Sequence, residues 1–170
     1  EMTSDFYPAR AESAPLTFRV KAAKASDSML RINEVVAENK SVAKDQQGDF
    51  DDYIEIVNTS GSKIDLSGKF LTDDTKNPRK WKFPKGTHIE AGEHLIIWAD
   101  ENGNAEGGLH ANFKLDKAGE TIQLIDNDSD GNLILDEIKF AKLETDQAFR
   151  RIPDSKGKPS LGNPSPGKKN

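Results

Sequence analysis

The stretch that decides the fold is ETIQLIDNDSDGNLILDEIKF, residues 120–140. Its centre, DNDSDGNLILDE at 126–137, has the Asp-x-Asp-x-Asp-Gly and distant Glu of a helix–loop–helix calcium loop. Such a loop needs a helix on each side. Here the flanks alternate instead, with Ile122 and Leu124 before the acidic run and Ile138 and Phe140 after it. Period-two alternation is the mark of a half-buried strand. The stretch therefore reads as a β-hairpin with an acidic tip.

Working outward, the same texture recurs. LRINEVVAEN at 30–39, YIEIVN at 53–58, KIDLSGKFLTDD at 63–74, KWKFP at 80–84 and HLIIWAD at 94–100 are short apolar or alternating runs. Gly, Asn, Asp and Ser turns separate them, and no segment keeps a helical period over ten residues. Short strands at this spacing predict an all-β sandwich or barrel. The predicted organisation is a linker at 1–29, a sandwich at 30–152, and a Pro/Gly/Lys-rich extended, flexible tail at 153–170. Within the linker, Leu16 to Val20 reads as a short strand or helix.

Composition narrows the function. Hydrophobic residues make up 34% and charged residues 31%, and no apolar run is long enough to span a bilayer. There is no cysteine, which removes disulfides, thiol catalysis and zinc–thiolate sites. Residues 29–140 hold 13 basic and 22 acidic side chains, whereas 141–170 hold 7 and 3. The acidic body weighs against a duplex-binding face. The basic end, Arg150, Arg151, Lys156, Lys158, Lys168 and Lys169, is the candidate contact for a polyanion.

Several stretches, in order, resemble the lamin tail domain. They are INEVVAEN at 32–39, DDYIEIVNTSGSKIDLSGKFLTDD at 51–74, KWKFPKGTHIEAGEHLIIWAD at 80–100, LHANFKLDKAGETIQLID at 109–126 and NPSPGKKN at 163–170. The resemblance implies an immunoglobulin-like β-sandwich. The acidic turn and the closing Pro-Gly-x-x-Asn look like the bacterial secreted and surface members. No heptads precede the domain, so a filament rod is not implied. The function implied is a non-catalytic interaction or structural module that contacts neighbouring domains or another protein, outside the cell and without membrane insertion. A calcium-stabilised carbohydrate- or polymer-binding module is the alternative, with Tyr53, Phe70 and Trp81 as its binding face. An accessory nucleic-acid-binding domain using the basic tail is a further one. The oligomeric state is not readable.

No enzyme is expected. His88, His94 and His110 are scattered without metal-ligand spacing and read as surface or loop residues, and no nucleophile motif occurs. Trp81, Phe83, Leu95, Ile97, Trp98 and Phe113 read as core between two sheets. A three-residue loop, Asp130-Gly131-Asn132, would set Ile122 opposite Phe140, Leu124 opposite Ile138 and Asp126 opposite Asp136. Opposed carboxylates repel, and calcium between them would reverse the sign. The candidate ligands are Asp126, Asp128, Asp130, Asn132 through its backbone carbonyl, and Asp136; a solvated tip without metal is the other reading. A two-residue turn would put Leu124 opposite Glu137. Asp49, Asp51 and Asp52 form a second acidic group. No cofactor is required, and calcium is the one candidate.

Overall fold

The computed structural model describes residues 29–103 and 107–170; the linker reading of 1–28 lies outside them. Among the described residues there are twelve strands: β1 (Leu30–Val36), β2 (Asp52–Asn58), β3 (Ile64–Asp65), β4 (Phe70–Thr72), β5 (Trp81–Lys82), β6 (His88–Ile89), β7 (His94–Ala99), β8 (His110–Ala111), β9 (Thr121–Ile125), β10 (Ile134–Lys139), β11 (Ala148–Arg151) and β12 (Pro159–Gly162). One sheet runs β12-β11-β1-β2-β7-β8, a second β10-β9-β4-β5, and β3 pairs with β6. The pairings are antiparallel except β7 with β8. No helix among the described residues is long and apolar enough to cross a membrane.

Alternation builds the core. Ile54 and Ile56 of β2, Ile97 of β7, Leu71 of β4, and Ile122 and Leu124 of β9 join one buried cluster with Trp81, Phe83 and Phe113. Their neighbours Tyr53 and Trp98 point the other way. They form a second cluster with Val36 and Ala148 on the outer face of the larger sheet. Trp98 is thus buried, but not between the sheets as its apolar run suggested. The loop from β1 to β2 lays Val42 and Ala43 over it. Asn39 holds that loop in shape: its amide nitrogen donates to the carbonyls of Ala43 at 2.6 Å and Asp51 at 2.8 Å.

β1 carries a bulge. Ile32 faces Ile56, but Glu34 faces Glu55, so Asn33 is the extra residue. A bulge changes which side chains point out along the rest of the strand. Leu30, Ile32 and Val35 stay in the core, while Glu34 turns to the outer face beside Glu55.

The acidic hairpin differs from its expected register. Ile138 faces Ile122 and Asp136 faces Leu124, two positions away from the expected pairing. Leu124 also does not face Glu137, as a two-residue turn would require. Asn127 caps a 3-10 turn at Asp128–Asp130, its side-chain oxygen accepting from the Asp130 N–H at 2.9 Å. Gly131 and Asn132 both take positive φ, and the Asp126 N–H donates to the Leu133 carbonyl at 2.8 Å. These bonds favour a longer loop than the tight turn, and a bulge follows between Ile134 and Asp136. Because the shift is by two, the apolar residues keep their faces.

The C-terminal stretch packs onto the domain. Pro159–Gly162 adds an edge strand to β11, and residues 163–170 dock on the sheet. The open side between the sheets is pinned by Asp136. Its carboxylate accepts from the Ile32 N–H at 2.7 Å and from Arg151 at 3.0 and 3.2 Å. Asp136→Ala leaves the Ile32 N–H and the Arg151 guanidinium without that acceptor. Urea unfolding should show a loss of about 1.5–3 kcal/mol, whereas the exposed Leu161→Ala should change stability by less than about 0.5 kcal/mol.

Candidate functional sites

The densest polar site lies on the outer face, where Glu34 and Glu55 oppose each other, both fully buried. Like charges at that spacing repel, and buried charges need hydrogen bonds. The tail supplies them. The Ser165 N–H donates to both Glu34 oxygens at 3.0 Å, and the Gly167 N–H donates to Glu55 Oε2 at 2.6 Å. From the sheet, Tyr53 Oη donates to Glu34 Oε1 at 2.6 Å, and Asn33 Nδ2 to Glu55 Oε1 at 3.0 Å.

Asn33, put outward by the bulge, is the hub. Its oxygen accepts from the Ser155 N–H at 2.9 Å, its amide nitrogen also donates to Asp154 at 3.0 Å, and its carbonyl accepts from Asn170 at 3.2 Å. Asp154 accepts in turn from the Asn170 N–H at 3.1 Å and lies 3.2 Å from His94 Nε2. The Pro-Gly-x-x-Asn close, Pro166 to Asn170, therefore acts as a clamp. His94 and Asp154 line an open cleft of about 360 Å³ with Lys156 and Lys169.

Burial pushes the Glu55 carboxyl up to about 7, against the bonds from Asn33 and Gly167, and the charge of Glu34 adds to the rise. Burial likewise raises Glu120 to about 7. Burial first, then Glu34, push the Tyr53 phenol up.

The expected calcium constellation is divided. Asp126 is met by the buried Lys69 ammonium at 2.6 Å, Asp128 by Arg79 at 2.5 Å, and Asp136 by Arg151. Asn132 Nδ2 donates to Asp128 at 3.0 Å, and its Oδ1 accepts from Arg79 at 2.8 Å. Asp130, in the 3-10 turn, is buried. Asp126 and Asp136 do not face each other, so the repulsion that called for calcium is absent from this register. Cations from other segments of the chain, Lys69 before β4, Arg79 in the turn before β5 and Arg151 of β11, pair with three of these carboxylates instead.

The basic end is divided too. Arg150 lies opposite Glu34 and donates to Ser165 Oγ at 3.3 Å, beneath the tail. Arg151 is held by Asp136 and by the Ile32 carbonyl at 2.9 Å. Lys156, Lys158, Lys168 and Lys169 are exposed. Tyr53, Phe70 and Trp81, the expected sugar-stacking face, are all buried, and the carbohydrate reading loses that support.

Of the three histidines only His88 is exposed; His94 is nearly covered and His110 is fully buried. His110 Nδ1 lies 2.7 Å from Asp100 Oδ2, while its Nε2 has no partner. Asp45, from the loop over the sheet, comes to the same corner. No spacing in the sequence announces this group, because its members come from three separate segments.

The described residues form an all-β fold of two larger sheets and the β3–β6 pair, an immunoglobulin-like sandwich. The lamin tail domain family profile matches residues 23–142, and the chain belongs to that family. The match ends before β11, β12 and the clamp. No curated protein matches the chain.

The clamp gives a pH dependence whose sign is fixed. Below the ordinary glutamate value of 4.5, Glu55 is protonated in both folded and unfolded chains. Between 4.5 and about 7 the folded chain keeps a proton that the unfolded chain releases. Stability contributed by Glu55 therefore falls as pH rises across that window and levels off above it. Thermal melts from pH 4.5 to 8 should show this slope, and Glu55→Gln should flatten it, leaving the part due to Glu120.

Proposed function

We propose that the chain is a non-catalytic interaction module of a larger secreted or cell-surface bacterial protein, contacting neighbouring domains or another protein. One observation carries the reading. The buried carboxylates of the outer face, Glu34 and Glu55, bond to residues 163–170, and the buried Tyr53 hydroxyl donates to Glu34. Catalytic acids and bases must reach a substrate. These are engaged in holding the fold.

The contact surface is offered by the edge of the larger sheet. β12 is its outermost strand, and Leu161 on it is 55% exposed. An edge strand pairs readily with an added strand. The extracellular, bacterial setting is part of the proposal, suggested by the likeness of the acidic turn and the closing Pro-Gly-x-x-Asn to bacterial members of the family.

The test has two parts. Purified chain should turn over neither chromogenic phosphodiesters nor glycosides. In the native host, a membrane-impermeant amine reagent should label Lys156, Lys158, Lys168 and Lys169 on intact cells. Turnover abolished by Glu55→Gln, or labelling only after lysis, would contradict the proposal.

A further inference from the structure

An amine and a carboxylate meet out of reach of water at the base of the acidic hairpin. In the pairing of β4 with β9, Phe70 faces Ile125, so Lys69 and Asp126 are the next residues across from each other. Lys69 Nζ lies 2.6 Å from Asp126 Oδ1, and the two side chains are 2% and 0% exposed.

We propose that Lys69 and Asp126 condense to an isopeptide bond, an amide between Lys69 Nζ and Asp126 Cγ that staples the start of β4 to the hairpin of β9 and β10.

Three observations support it beyond the contact itself. First, the two oxygens of Asp126 stand in different surroundings. Oδ1 accepts from the Asn127 N–H at 2.8 Å, whereas Oδ2 is buried and has no hydrogen-bond partner. Buried polar atoms are rarely left so. An ordinary ion pair leaves that orphan unexplained. Condensation removes it, because Oδ2 is the oxygen that departs. Second, backbone bonds fix both residues. The Lys69 N–H donates to the Leu66 carbonyl at 3.0 Å, and the Lys69 carbonyl accepts from the Phe83 N–H at 2.9 Å. The Asp126 N–H donates to the Leu133 carbonyl at 2.8 Å, and the Asp126 carbonyl accepts from Asn132 Nδ2 at 3.1 Å. Well-oriented groups held in this way react with effective molarities that reach about 10⁵–10⁸ M. Third, the chain neighbours Phe70 and Ile125 are buried as well, so the pair lies where water does not compete for the carbonyl carbon.

The reaction needs no co-reactant. The Lys69 ammonium gives one proton to Asp126 Oδ2, leaving an amine and a carboxylic acid. The amine lone pair attacks Cγ, and the charge that develops on Oδ1 meets the Asn127 N–H, a donor already in place. A second proton passes from the nitrogen to Oδ2, the Cγ–Oδ2 bond breaks, and Oδ2 leaves as water. The nitrogen keeps one hydrogen, and nothing is oxidised or reduced. Two charges that are costly to hold away from water disappear.

The experiment is mass spectrometry of the purified full chain, denatured after prolonged incubation at neutral pH. The intact mass should fall short of the sequence mass by one water. Proteolysis should release a branched peptide joining the segment of Lys69 to the segment of Asp126. Glu1 and the Asp130-Gly131 step can also lose water, by cyclising, so the branched peptide is the decisive readout. Lys69→Met removes the nucleophile; it should lose one water fewer than the parent chain and release the two segments as separate linear peptides. The proposal is overturned if the parent chain yields those segments only as separate linear peptides, or if the two chains show equal mass deficits. The peptide readout is made on the parent chain, so it decides the question even where Lys69→Met does not fold.

Discussion

Glu34 and Glu55 face each other across adjacent strands, away from water. The rest of the outer face is arranged around that conflict. The bulge at Asn33 creates it by turning Glu34 outward. The donors that resolve it come from the far end of the chain, through the N–H groups of Ser165 and Gly167. For those groups to arrive, β11 must return beside β1 and β12 must lie outside β11. Breaking a buried charge network by removing one partner is far more damaging than replacing all of it with apolar groups. The closing segment is thus part of the domain, although the family match stops at residue 142.

Charge is settled differently in different places. At the hairpin, Lys69, Arg79 and Arg151 neutralise aspartates that sequence spacing suggested for calcium. Beneath the tail, neutral backbone donors do the work, and Glu55 responds by holding its proton to about pH 7. In the corner of Asp100 the neighbouring group is the His110 ring, whose Nδ1 lies 2.7 Å from Asp100 Oδ2. A buried ion pair such as Lys69–Asp126 is weak evidence of added stability, but it fixes the hairpin against β4.

What could be read from the sequence follows from periodicity. Alternation places Ile54, Ile56, Ile122 and Leu124 in the core, and glycines such as Gly92 and Gly131, both at positive φ, mark the turns. Three things escape that reasoning. Bulges in β1 and β10 change the register, and alternation carries no record of the extra residue. The run His94–Ala99 is apolar on both faces, so it does not say that Trp98 lies under a loop. The partners of Asp126 and Asp136, Lys69 and the Ile32 N–H, are far away in the chain, and spacing reports only near neighbours. The closing NPSPGKKN was visible as a pattern, yet its backbone N–H groups, not its lysines, make the contacts with the buried carboxylates.

Amide hydrogen exchange at Ser165 and Gly167 tests the clamp most directly. If those N–H groups are held by the buried Glu34 and Glu55, they should exchange as slowly as the amides of β1 and β2, and open with them. Exchange at unfolded-chain rates, while the sheet stays protected, would show that the carboxylates are not held by the tail and would contradict the account.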